Sequence, residues 1–179
     1  MELKFEEDIR KNVVVYVAEL MITAARTAPK ARGVDNMVAA LVEDQGIKDI
    51  SEKMKEIGQR PGSPAYFLRD AENILHAQAV VLLGTRIKSQ GIAICGRCGF
   101  LNCAEKDKHP EFPCTFNTGD LGIAIGSAVS VATDHRIDNR VMYTVGEAVL
   151  ELKSLGEDIK IAFGIPLSVS AKNLFFDRK

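Results

Sequence analysis

Four cysteines lie within twenty residues, Cys95-Gly-Arg-Cys98-Gly-Phe-Leu-Asn-Cys103 and then Cys114, and the chain of 179 residues has no others. The spacing C-x2-C-x4-C-x10-C brings four thiols together through local turns, the number that a cubane iron–sulfur cluster or a tetrahedral zinc ion requires. Two residues between Cys95 and Cys98 let both sulfurs turn toward one centre. Gly96 and Gly99 assist, because without a Cβ the backbone can take positive φ and aim N–H groups at sulfur. Cys103 lies one further turn away, and Cys114 follows a charged connector that Pro113 stiffens.

Structural zinc sites usually pair two short CxxC or CxxH knuckles, whereas only one CxxC occurs here. The asymmetry favours an iron–sulfur centre, [4Fe-4S] first, with a two-iron cluster inside the same reading. Zinc remains the alternative: a structural module in which metal binding supplies folding free energy on the order of 10 kcal/mol and no electron moves. The irregular position of Cys114 also suits a cluster with one free iron acting as a Lewis acid. A disulfide framework is disfavoured in a domain of this size in a reducing compartment.

Four thiolates around a cluster leave a negative centre, which Arg97, Lys106 and Lys108 could soften while receiving an acidic partner. For Lys106 and Lys108 a solvated loop face is the simpler reading. His109, in Lys-His-Pro-Glu, reads as an exposed side chain rather than a ligand.

The elements that must position this segment follow from hydrophobic spacing. Phe5, Ile9, Val13, Val17, Leu20, Met21, Ala24 and Ala28 recur every three or four residues and define one face of a first helix that Pro29 ends. Lys30 to Asn36 reads as a loop, and Asn36 to Val42 is apolar but too short to assign by period. Ile47, Ile50, Met54 and Ile57 predict a helix ending near Gly58, and a third helix spans about Ala65 to His76. Ala79-Val-Val-Leu-Leu83, bounded by Gly84, reads as a buried strand. After the cysteines, Thr118 or Asp120 is placed to cap a helix burying Leu121, Ile125, Ala128, Val129 and Ala132, with Gly122 and Gly126 admitting another backbone. Val141 to Leu152 gives a helix stopped by Gly156, and Ile159 to Phe163 a strand leading into Gly164-Ile-Pro166. The expected class is α+β in a three-layer α/β/α arrangement: one domain over 1–179, with a cluster-binding insertion at 91–117.

Composition narrows the function. A formal net charge of -1, with cations spread along the chain, gives no electrostatic reason for nucleic acid or an anionic membrane. The mixed-charge N-terminus lacks a secretory apolar core, and Leu121 to Ala132 is too short to span a bilayer, so a cytoplasmic protein is expected. No nucleophile motif surrounds any of the three histidines, and no Gly-x-x-x-x-Gly-Lys loop is present.

The segment Cys95-Gly-Arg-Cys98-Gly-Phe-Leu-Asn-Cys103 resembles the CGxCGxxxC signature of the four-iron domain in corrinoid iron–sulfur proteins and Rnf-type electron-transport subunits. There, three cysteines and a distant fourth hold one [4Fe-4S] cluster. The last interval here is shorter than is usual in those families. Ala24-Ala-Arg-Thr-Ala-Pro-Lys-Ala-Arg-Gly33 resembles the flavin-contacting segment after the first helix of the nitroreductase family, and Asp120-Leu-Gly-Ile-Ala124 and Ile161-Ala-Phe-Gly-Ile-Pro166 resemble its central helix and late strand. That resemblance implies a nitroreductase-like core and a homodimer, with FMN whose phosphate would meet Arg26, Lys30 and Arg32. The basic cluster that the family carries before its first helix is absent, and plain helix-end cations explain the three residues equally well.

The Ala-Ala-Arg-Thr-Ala-Pro-Lys-Ala segment, the cysteines and the Asn173-Leu-Phe-Phe-Asp-Arg178 ending together resemble an uncharacterised prokaryotic family of ferredoxin domain-containing proteins. The resemblance implies a cluster and a cytoplasmic redox setting, and it supplies no substrate. The four-cysteine spacing after a buried strand leads to the expectation of a redox protein that relays single electrons to an unidentified protein partner or small-molecule substrate.

Overall fold

The apolar run at Ala79 to Leu83 sets the centre of the molecule. In the computed structural model, which describes residues 1–176, it opens β2 (Ala79–Arg86), buried on both faces. β2 pairs antiparallel with β1 (Met37–Val42) on one side and with β4 (Ile159–Ser168) on the other. A two-residue strand, β3 (Asp138–Asn139), adds to the outer edge of β4, giving the order β1-β2-β4-β3.

Side-chain alternation along β2 builds two cores. Ala79, Val81 and Leu83 point toward α1 (Glu6–Thr27) and α5 (Thr115–Asp134), where they meet Val14, Met21, Leu121 and Ala128. Val80 and Leu82 point the other way, toward α2 (Asp44–Gly58), α3 (Tyr66–Ile74) and α6 (Tyr143–Glu151), and pack with Met54, Ile74 and Val145. Helices thus cover both faces of one antiparallel sheet, the expected α+β, three-layer class. Among the described residues, no helix is long and apolar enough to cross a membrane.

Several boundaries differ from the sequence reading. In α1 the buried stripe is Val14, Val17, Ala18, Met21 and Ala25, while Phe5, Ile9 and Val13 are 62%, 42% and 50% exposed. The run Val13-Val14-Val15 lets either of two adjacent stripes satisfy the same spacing, and the first two turns bury no residue. Asn36 to Val42 resolves into β1, whose register is fixed by β2 rather than by its own pattern. β2 runs on through Gly84, and β4 through Gly164 and Pro166.

α5 starts at Thr115 with Cys114 as its N-cap residue, so neither Thr118 nor Asp120 caps it. Gly122 and Gly126 face open space rather than a neighbouring backbone. The close approach occurs instead at Gly146 in α6, where a Cβ would stand 1.9 Å from the carbonyl oxygen of Ala162 in β4. Phe175 is buried in the second core, and Asp177 and Arg178 of the C-terminal motif lie outside the described residues.

Candidate metal centre

The cysteine segment leaves the end of β2 at Ile87 and returns to the core at α5. Polar side chains from remote parts of the chain fix its base. Asn117, in the first turn of α5 and 1% exposed, donates through Nδ2 to the carbonyls of Arg86, at 3.0 Å, and Lys88. Its Oδ1 accepts from Asn36 Nδ2 at 3.2 Å. Buried amides need such partners, and here the partners are the backbone of the segment itself. Gln90 donates to Asp120 Oδ2 at 3.1 Å, and an Arg32 guanidinium nitrogen donates to the carbonyls of Gln90 and Gly91, each at 2.8 Å.

All four cysteines are free thiols; Cys95, Cys98 and Cys103 are partly exposed and Cys114 is buried. The turn after Cys95 takes the conformation that the glycines permit, with φ of 129° at Gly96 and 92° at Gly99. It directs the backbone N–H groups of Arg97 and Gly96 at Cys95 Sγ, and those hydrogen bonds, ahead of the Arg97 charge, hold this thiol below its ordinary pKa. Cys103 opens a one-turn helix, α4 (Cys103–Lys106), capped by Asn102 Oδ1, which accepts from the Glu105 N–H at 2.9 Å. Cys103 thus opens a helix, Cys114 precedes one as its N-cap residue, and Cys95 receives two backbone N–H groups.

Among the described residues, no three His, Cys, Asp or Glu side chains stand together so as to hold a metal ion. Zinc, with Zn–S bonds of about 2.3 Å, requires its thiolates gathered around a single point. An iron–sulfur core is larger than one ion and asks less convergence of the chain. The donors present are four thiols, with backbone N–H groups aimed at one of them, Cys95, and thiolates of this kind are the usual ligands of iron–sulfur clusters.

His109 stacks on Phe100 with ring centroids 5.1 Å apart, and Phe112 meets Phe100 edge-on at 5.5 Å. This small aromatic cluster gives the histidine a packing role. Of the nearby cations, Lys108 is exposed as expected, but Lys106 is not: it is 3% exposed, and its Nζ donates to the Ile87 carbonyl at 2.7 Å. A lysine inside a polar loop carries no sequence mark that would separate these two fates.

The structure places Arg26, Lys30 and Arg32 around the end of α1, each on a protein acceptor. Lys30 Nζ donates to the carbonyls of Ala25, Arg26 and Ala28 at 2.7, 2.6 and 2.8 Å, which occupies all three ammonium donors at the helix C-terminus. Arg26 pairs with Asp35, and Arg32 holds the cysteine segment. Asp120 accepts the Ala31 N–H, so a carboxylate of the chain already supplies negative charge beside this basic loop. A flavin phosphate would have to displace these contacts. Asn36, Gln90, Asn117 and Asp120 had no sequence signal as a group, being separated polar residues that the fold alone unites.

Residues 111–178 match the family described as "Uncharacterized protein containing a ferredoxin domain (DUF2148)". The matched stretch includes Cys114 but not the other three cysteines. An uncharacterized protein of Archaeoglobus fulgidus is 36% identical over 180 residues, covering 97% of this chain and 96% of its own length. Among solved structures, a nitroreductase with bound FMN from Desulfitobacterium hafniense DCB-2 superposes with a TM-score of 0.60 at 14% identity, over 96% of this chain and 81% of that one. A nitroreductase with bound FMN from Bacteroides fragilis NCTC 9343 gives 0.58 at 14% identity, over 92% and 81%. At such identities the likeness is one of fold.

Proposed function

Since the chain belongs to the family of uncharacterized proteins containing a ferredoxin domain, we propose that it is a redox protein whose Cys95, Cys98, Cys103 and Cys114 hold a [4Fe-4S] cluster and pass single electrons. The observation that carries this reading is the set of four free thiols on one segment, with the Gly96 and Arg97 N–H groups directed at Cys95 Sγ. Bound there, the cluster would supply one-electron transfer to a protein or small-molecule partner. The chain's own residues do the rest. The Gly96 turn presents N–H groups that stabilise thiolate, the Asn117 and Gln90 contacts fix the base of the segment, and Cys114 joins the site to the first turn of α5, whose buried stripe packs into the first core. Thiols kept available for iron also suit a reducing compartment.

The nitroreductase-like fold is the support for a flavin coupled to this centre, and Arg26, Lys30 and Arg32 would be the residues nearest its phosphate. Each would have to give up an internal acceptor, so no step is assigned to FMN. Structural zinc is the competing reading, and the presence of one CxxC pair where structural zinc sites usually bring two short knuckles weighs against it.

Electron paramagnetic resonance separates the two. Full-length protein purified without oxygen should give a paramagnetic cluster signal on dithionite reduction. A silent spectrum from protein carrying one zinc per chain would overturn the proposal, and flavin would show itself in the same sample by yellow colour and release on denaturation.

A further inference from the structure

Burial of an ammonium without a counter-charge is unfavourable, because the lost hydration must be replaced by acceptors. Lys106 is 3% exposed, yet its Nζ has a single hydrogen bond, to the Ile87 carbonyl at 2.7 Å. Among the described residues it forms no ion pair with a carboxylate. Two of the three donors of this ammonium are therefore left for something else.

Lys106 lines a groove of about 520 Å³ between the cysteine segment and the ends of β2 and β4. Four cations border it, Arg86, Lys88, Lys106 and Lys160, against two carboxylates, Asp107 and Asp158. Asp158 pairs with Arg86, and Asp107 accepts from Ser89 Oγ at 2.5 Å. The lysines on the two walls thus face the groove without acidic partners among the described residues.

We infer that this groove is a binding site for a small oxyanion-bearing ligand, phosphate or carboxylate, with the buried Lys106 as its anchor and Lys88 and Lys160 at its mouth. An oxyanion here would accept from the two unused Lys106 donors and offset the surplus positive charge. The groove carries this charge whether or not the cysteines hold iron.

The test is an amide chemical-shift titration of the 15N-labelled full chain with inorganic phosphate, and separately with succinate to distinguish the two oxyanions. Saturable shifts centred on Ser89, Asp107 and Lys160 are expected with at least one of them. Lys106→Met, which replaces a buried cation by an apolar chain of similar length, should weaken binding about tenfold or more for each charge-assisted hydrogen bond lost. Lys160→Gln, at an exposed position, should weaken it several-fold, and Lys4→Gln should change nothing. Shifts spread over lysines across the surface, or undiminished binding by Lys160→Gln together with Lys106→Met, would overturn the assignment. If Lys106→Met does not fold, Lys160→Gln against Lys4→Gln still decides.

Discussion

Asp120, in the second turn of α5, accepts the backbone N–H of Ala31 with both carboxylate oxygens, at 3.1 and 3.0 Å, across 89 residues of sequence. The same carboxylate accepts from Gln90 Nε2 at 3.1 Å, so one side chain joins the end of the first helix to the root of the cysteine segment. Asp120→Ala leaves the Ala31 N–H without its acceptor and the Gln90 amide with only the Val34 carbonyl, at 3.3 Å. It should lower stability by about 1–3 kcal/mol. Urea unfolding measures this, and faster exchange of the Ala31 amide should accompany the loss. An unchanged midpoint would show that the junction is not held this way.

Two glycines make opposite forecasts. A Cβ at Gly146 would meet the Ala162 carbonyl oxygen at 1.9 Å, a backbone atom that cannot swing aside, so Gly146→Ala must push α6 off β4. A loss of about 3 kcal/mol or more, or failure to fold, is expected. Gly122 is helical with open space where its side chain would go, and Gly122→Ala should stabilise by about 0.5–1 kcal/mol. Thermal unfolding of the two variants tests both signs.

These cases mark what the sequence could reveal. The elements were legible where local pattern decides them: the spacing of Ile47, Ile50, Met54 and Ile57, the continuous run at Ala79, and the stop after Ala28. What escaped was set by distant partners. Nothing in Met37 to Val42 distinguishes a strand from a buried helical turn until β2 offers its edge, and Gly146 and Gly122 are alike in sequence though one abuts a carbonyl and the other solvent. The site divided similarly. The cysteines and their glycine turns declare themselves by spacing. The latch of Asn36, Gln90, Asn117 and Asp120, and the burial of Lys106, exist only after folding.

Removing single thiols separates full ligation from a cluster with a free iron. Cys95→Ser, Cys98→Ser and Cys103→Ser should each strip most of the iron from the purified protein. Cys114→Ala should do the same if this residue is the fourth ligand. Full iron retention by Cys114→Ala alone would transfer support to a centre with one open coordination position.

Asp35 provides the pH dependence. Partial burial pushes its carboxyl up, but hydrogen bonds from Arg26 and the Met37 N–H, with the charges of Arg26 and Lys30, outweigh this and hold it below the ordinary carboxylate range. A carboxylate with a lowered folded-state pKa adds stability above its unfolded pKa, and that share vanishes as pH falls through the folded value. The pair is largely solvated, so the share is about 1 kcal/mol or less. Asp35→Asn should be less stable than the native chain at neutral pH, with the difference closing in acid. A constant gap across the titration would contradict the assignment.

In the proposed state Cys95, Cys98, Cys103 and Cys114 together grip an iron–sulfur core. Iron and acid-labile sulfide, quantified together on anaerobically purified full-length protein, test it most directly. About four of each per chain, with broad visible absorption that dithionite bleaches, is the predicted result. A colourless protein with stoichiometric zinc, or with no metal and four titratable thiols, would contradict it.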